Sequence, residues 1–155
     1  MCSSDLEAMT LGNRFSIVTM WQKWRHLYDK TIHDLGIGHA LASVRSIDVE
    51  PDNQVLLVGK EEDVFPLLEL AALAAIHEDR AEVIVLGSTT MHQAHGYLSE
   101  RLKVPVINPG PLTYKKAEML IHAGLSHSRL AYPSSLIPRD DMVKAMMESA
   151  AKFSH

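Results

Sequence analysis

An apolar run from Val83 to Leu86 passes through Gly87-Ser88-Thr89-Thr90 directly into a helical pattern, within the segment EVIVLGSTTMHQAHGYL (Glu82 to Leu98). That order predicts a strand, a tight turn and a helix N-terminus. A strand apolar on both faces suits a parallel sheet that is covered on both sides. Free main-chain N–H groups at such a turn favour an anion, and the helix dipole adds to them. Ser88 would stand at the carboxyl end of the strand, where open α/β sheets put their ligands.

The same alternation runs along the whole chain. Arg14 to Thr19 reads as a first strand. Trp21 to Leu35 reads as a helix with Trp24, Leu27, Tyr28, Thr31 and Leu35 on one face and Gly36 as its stop. Leu41 to Asp48 is a second strand, and Glu50 to Gly59 a connection with a Pro-Asp-Asn turn signal. Glu61 to His77 is a helix in which Pro66 is tolerable only within the first turn. Glu82 to Gly87 is the third strand, and Met91, Ala94, Leu98 and Leu102 mark one buried stripe of its helix. Val104 to Ile107 is a short fourth strand. Leu112 to Ala123 is a helix closed by Gly124. A proline-punctuated tail, Tyr132 to Pro138, leads to a last helix, Asp140 to Lys152, with Val143, Met146, Met147 and Ala150 on its apolar face. Four strands each followed by a helix predict a doubly wound α/β domain with a parallel sheet and right-handed crossovers. That fold hosts many functions and names none.

Composition narrows the classes. The 155 residues fit one domain, and 46% hydrophobic with 22% charged residues is the balance of a soluble globular protein. A net charge of −4 gives no footprint for nucleic acid or an anionic membrane. No apolar run approaches the roughly 20 residues of a membrane span. The start lacks the basic and apolar regions of a secretion signal, so a cytoplasmic location is expected. The only cysteine is Cys2, which leaves no disulfide framework and no cysteine-based zinc site.

The segments LGNRFSIVT, LASVRSIDV, EVIVLGSTTMHQAHGYLSERLKVPVINPGPL and KKAEMLIHAGL follow one another between Leu6 and Leu125. In that order they resemble the aspartate/glutamate/hydantoin racemase family, and its hydantoin racemase branch most of all. The resemblance implies a cofactor-independent enzyme of two similar α/β lobes with the active site between them. It implies one cysteine from each lobe, facing opposite sides of the substrate's Cα. One thiolate removes the proton and the other thiol donates one. The position matching the second-lobe cysteine is Ser88. The first-lobe cysteine has no counterpart, because the chain starts where that lobe should already have ended. Cys2 precedes the first strand and is no candidate. The codons TGC-TCT-TCC-GAT-CT(N) would encode Cys2 to Leu6 and match a common sequencing adapter. Residues 1–6 are therefore expected to be a non-native leader, 7–131 a racemase-like lobe of an N-terminally truncated chain, and 132–155 a C-terminal tail and helix.

Ser88 is the candidate catalytic residue, and its chemistry differs from that of a cysteine. A free thiol has a pKa near 8.5, lowered further at a helix N-terminus. A serine hydroxyl is far less acidic and needs a neighbouring base. Ser88 fits better as a hydrogen-bond donor to an enolate oxygen. A hydantoin Cα–H is more acidic than that of an amino acid, because no adjacent carboxylate resists the carbanion. Serine is also a preferred helix N-cap, and capping and ligand binding can coexist. Thr89 and Thr90 could donate to a carboxylate or imide, or simply form the helix's first turn. By the resemblance Thr19 lines the substrate pocket, with a turn role as the alternative. Asn108, in INPGP, faces the site or begins a turn. His92 is a candidate base for Ser88, one helical turn away. His92 and His95 could pair on a metal, but no third ligand has useful spacing, so no metal is expected. Trp21 and Trp24 read as core or pocket wall, and Lys60 to Asp63 as a solvated helix start.

Three readings follow. The first is a racemase or epimerase acting at the activated Cα of hydantoins or amino-acid derivatives, without a cofactor. The second is a one-cysteine decarboxylase or isomerase of the same family. The third is a small-anion binding domain that has lost its acid–base pair. A small-molecule substrate is the expected partner, with no nucleic acid or membrane. The family often forms homo-oligomers, though no interface is legible here. The chain alone is expected to be inactive, because a two-lobe site needs both walls.

Overall fold

The four apolar runs do form one sheet, with the strands shorter than their apolar patterns. In the computed structural model, which describes residues 2–50, 59 and 61–152, β1 is Phe15–Thr19, β2 Leu41–Ser46, β3 Val83–Leu86 and β4 Val106–Ile107. Every pairing is parallel, in the order β2-β1-β3-β4. Ile17 lies opposite both Val44 and Val85, and Ile84 lies opposite Val106. The central strands β1 and β3 are buried at every residue, which is why their sequences do not alternate. The edge strand β2 buries only Val44 fully.

The chain divides into two compact units at Met119/Leu120. The first unit holds the sheet. The helices α3 (Glu61–His77) and α4 (Ala94–Arg101) supply Val64, Phe65, Leu68, Ala72, Ala75, Ala94 and Leu98 to a core with Val18, Ile84 and Leu86. The helices α1 (Cys2–Leu11) and α2 (Arg25–Leu35) supply Ala8, Tyr28 and Ile32 to a second core with Phe15, Ile17, Val83 and Val85. In β3, Val83 and Val85 feed the second core and Ile84 and Leu86 the first, so the sheet is covered on both faces. The expected stripe Met91, Ala94, Leu98 and Leu102 is buried throughout. Arg45 of β2 ties the edge strand to the end of α3: its Nε and one Nη each lie within 2.9 Å of Asp79, and that Nη is 2.7 Å from Glu78.

Several elements differ from their sequence patterns. No element was expected before Arg14, yet α1 forms there. Its buried side chains include Ser4, Asp5 and Ala8, while Leu6 and Leu11 are exposed, so it carries no readable apolar stripe. The predicted helix from Trp21 begins as a 3-10 turn, Gln22–Trp24, and becomes α-helical at Arg25. Gly36 does stop it, in a left-handed conformation with φ 68°. Pro66 lies in the second turn of α3 and not in its first. It sits on the exposed side, as does Glu62, so water can cover the carbonyl that loses its partner. The helix α5 (Pro109–His122) starts three residues before the expected Leu112. Pro109 is its first residue, a position where the missing N–H costs nothing. The Asn108 side chain accepts from Gly110 N–H at 3.3 Å, so Asn-Pro-Gly-Pro opens a helix where a turn was expected. The Glu50–Gly59 connection lies, but for its two end residues, outside the described residues, and so does Lys60.

The second unit, Leu120–His155, contains the end of α5, stopped at Gly124 with φ 66°, and α6 (Asp140–Lys152). The predicted tail 132–138 is irregular. Val143, Met146 and Met147 on α6 are exposed. Among the described residues, no helix is long and apolar enough to cross a membrane.

Candidate functional site

The order β2-β1-β3-β4 puts the topological switch between β1 and β3, whose connections leave toward opposite faces. Ligands of open α/β sheets bind in the crevice outside the carboxyl ends of such a strand pair. Here β1 ends at Thr19 and β3 at Leu86, followed by Gly87 and Ser88. A cavity of about 180 Å³ opens there, lined by Trp24, Leu27 and Tyr28 from the α2 side and by Gly87, Ser88 and Thr89. One wall is apolar and aromatic. The other is a turn of main chain and hydroxyls.

Local sequence explains the turn. Ser88 is extended (φ −146°, ψ 148°) and caps a short 3-10 helix, Thr89–Met91. Its Oγ accepts from the Thr90 N–H at 3.2 Å and lies 2.9 Å from the Thr90 hydroxyl. Capping by Ser88 is therefore present, and the predicted continuous helix is interrupted before α4. Among the described residues, the main-chain N–H groups of Ser88 and Thr89 make no hydrogen bond. They are free to meet a ligand oxygen, together with the exposed hydroxyl of Thr89.

The other predicted residues are distributed around this turn. Thr19 is fully buried, and its hydroxyl lies 2.8 Å from the Tyr28 hydroxyl. It reaches the cavity only through that tyrosine. Asn108 caps α5 and lines a separate cavity of about 380 Å³ with His95, Ile107 and Leu112. The Gly110 backbone brings the two regions close: a Cβ there would lie 3.7 Å from Asn108 Oδ1 and 3.8 Å from Thr89 Cγ2. His92 is exposed, and its Nδ1 lies 3.3 Å from the Thr89 carbonyl. It makes no hydrogen bond to Ser88, so the structure does not bring the candidate base to the hydroxyl. His95 Nε2 donates to the Val106 carbonyl at 3.0 Å. Among the described residues, no group of three or more His, Cys, Asp or Glu is placed to hold a metal ion.

Tyr28 was read from the sequence only as part of a helix face. In the structure its hydroxyl is the polar centre of the site's floor, donating to the Gly87 carbonyl at 2.9 Å. Burial pushes the phenol pKa up, against the opposing Thr19 hydrogen bond, and the nearby Asp5 charge adds to the rise. Tyr28 is thus a protonated donor at neutral pH. Gly87 is required by the same contact: a Cβ at that position would stand 2.7 Å from Tyr28 Oη and 2.9 Å from Thr19 Cβ. The aromatic wall carried a sequence signal, Trp24, Leu27 and Tyr28 on one predicted face. The hydroxyl's partner did not.

Known proteins resemble this chain in sequence and in fold. The family described as Asp/Glu/Hydantoin racemase matches residues 3–117. A hydantoin racemase of Rhizobium meliloti is 31% identical over 144 residues, which cover 86% of this chain and 56% of that protein. A hydantoin racemase of Paenarthrobacter aurescens is 33% identical over 116 residues, covering 74% and 48%. Among solved structures, allantoin racemase from Pseudomonas fluorescens superposes with a TM-score of 0.73 at 28% identity, covering 88% of this chain and 59% of that one. The chain spans about half the length of the relatives it matches.

Proposed function

Because the chain belongs to the Asp/Glu/hydantoin racemase family, we propose that it forms one lobe of a cofactor-independent racemase or epimerase. Its substrate class is hydantoins or related amino-acid derivatives, attacked at the activated Cα. The observation that carries this reading is the position of Ser88 at the strand-end switch point, beside a cavity with one polar and one apolar wall. The polar wall, the Ser88 turn with the exposed Thr89 hydroxyl, suits an imide or enolate oxygen. The apolar wall, Trp24 and Leu27, suits an apolar substituent on the ring.

Ser88 stands where a cysteine is usual. Its hydroxyl supplies a hydrogen bond and not a base, since no side chain among the described residues is placed to take its proton. Racemisation needs proton removal on one face and delivery on the other. The chain alone therefore leaves an enantiopure hydantoin unchanged beyond the uncatalysed rate. The test is proton–deuterium exchange at C5 of L-5-benzylhydantoin in D2O. Ser88→Cys supplies a thiolate near neutral pH, and general-base assistance is worth about 10²-fold or more. That variant is expected to speed exchange at C5. A Ser88→Cys protein that neither binds the compound nor exchanges its proton overturns the reading.

One observation favours the binding-domain alternative. The Ser88 hydroxyl is already engaged with Thr90. Binding of 5-benzylhydantoin by both proteins, with no exchange in Ser88→Cys, would select a small-anion binding domain.

A further inference from the structure

We propose that Tyr28 is a positioning residue for the Ser88 turn, and that its hydroxyl sets the direction of the Ser88 N–H by holding the peptide plane before it. The inference rests on the reading of that turn as the substrate-binding edge. Three elements meet at this one phenol: α2 supplies it, β1 supplies Thr19 at 2.8 Å, and the residue after β3 supplies the Gly87 carbonyl at 2.9 Å.

The direction of each hydrogen bond follows from counting protons. A carbonyl only accepts, so the single phenol proton goes to Gly87. The Thr19 hydroxyl must then donate to the phenol oxygen. The bond that reaches the Ser88 turn is thus the one from the phenol proton to Gly87, which Thr19 does not share.

The geometry of the peptide unit carries the effect to Ser88. The Gly87 carbonyl and the Ser88 N–H belong to one rigid plane. The described peptide bonds are all trans, so the two groups point in opposite directions. Gly87 donates its own N–H to Val18 of β1 at 2.8 Å, and its carbonyl faces the same side, toward Tyr28. The Ser88 N–H accordingly points away from the Tyr28 hydroxyl. Among the described residues, no other hydrogen bond holds the carbonyl of this plane. The glycine imposes little torsional preference of its own.

Tyr28→Phe keeps the ring and removes only the hydroxyl. Thr19→Val keeps the side-chain shape but leaves the phenol proton on Gly87. The first measurement is on the unaltered chain by NMR. A slowly exchanging Tyr28 hydroxyl proton with a cross-peak to the Gly87–Ser88 unit is expected, and its absence overturns the proposal. In Tyr28→Phe the Ser88 and Thr89 amide resonances are expected to shift or split, while Val85 inside β3 stays in place. In Thr19→Val both amides are expected to keep their positions. Unchanged amides in Tyr28→Phe, or equal disturbance by both variants, would assign the turn to packing and not to the phenol proton. Titration with 5-benzylhydantoin adds the functional arm: affinity in Tyr28→Phe is expected to fall about 3- to 10-fold. If the unaltered chain does not bind that compound, the substrate reading fails while the amide shifts still decide the role of Tyr28.

Discussion

At the scale of single residues, Gly87 is the position with the least freedom. A methyl group there would meet Tyr28 Oη at 2.7 Å and Thr19 Cβ at 2.9 Å. Both atoms are held between β1 and α2, so neither can retreat without breaking the hydrogen bonds that define the floor. Gly87→Ala is expected to cost about 1–3 kcal/mol, the usual penalty of overpacking. Urea denaturation at neutral pH measures it, and an unchanged midpoint would mean that the floor yields. Much of this neighbourhood was legible in the sequence. An apolar run ending in Gly-Ser-Thr-Thr announces a strand end, and a hydroxyl residue there announces a cap or a ligand site. The Tyr28 hydroxyl was not legible, because helical spacing gives a residue's face and says nothing of a partner 59 positions away. Thr19 illustrates the converse: its place at a strand end was readable, but its full burial was not.

At the scale of elements, the edge of the sheet depends on charge. β2 is half exposed and is pinned to the end of α3 by Arg45, through Asp79 and Glu78. The Arg45 guanidinium holds the Asp79 carboxyl below the usual carboxylate range, and a Ser43 hydrogen bond works in the same direction. A depressed folded pKa stabilises the fold above the ordinary carboxylate pKa, and this is lost as pH falls through the folded value. Asp79→Asn is expected to cost about 1 kcal/mol at pH 7, the upper range for a partly exposed pair of good geometry. Its difference from the unaltered chain should shrink toward pH 2. Denaturation curves at the two pH values check both the size and the trend. The elements themselves were mostly readable, since the two central strands lie in largely apolar runs and most of the long helices carried a stripe or a stop. α1 escaped because small and polar residues make up its buried side. The early start of α5 escaped because Asn-Pro-Gly-Pro serves a helix N-terminus as well as it serves a turn.

At the scale of the whole molecule, one buried carboxyl links global stability to pH. Asp5 on α1 is 3% exposed, and burial pushes its pKa up to about 6 from 3.8. Here the folded state binds the proton more tightly than the unfolded chain. Stability is therefore highest below pH 4 as far as this group decides, and falls as pH rises toward 6. Asp5→Asn removes the burden and is expected to stabilise the chain at pH 7 by up to about 3 kcal/mol. At pH 3 it should change little. Thermal melts at the two pH values test the sign: an Asn variant less stable at pH 7 would mean that the carboxylate is favourably held.

The neighbouring of β1 and β3 has a kinetic consequence. The two strands that frame the crevice lie side by side, yet the chain builds β2 and α3 between them. Closing so long a loop costs entropy before any contact rewards it, and topologies rich in such distant pairings fold slowly. The crevice therefore belongs to the late stages of folding, and no local fragment of the chain can display it. A molecule bound there acts as a clasp on the native topology: it stabilises the folded state in proportion to its occupancy, and it slows unfolding to the extent that the two strands must part first.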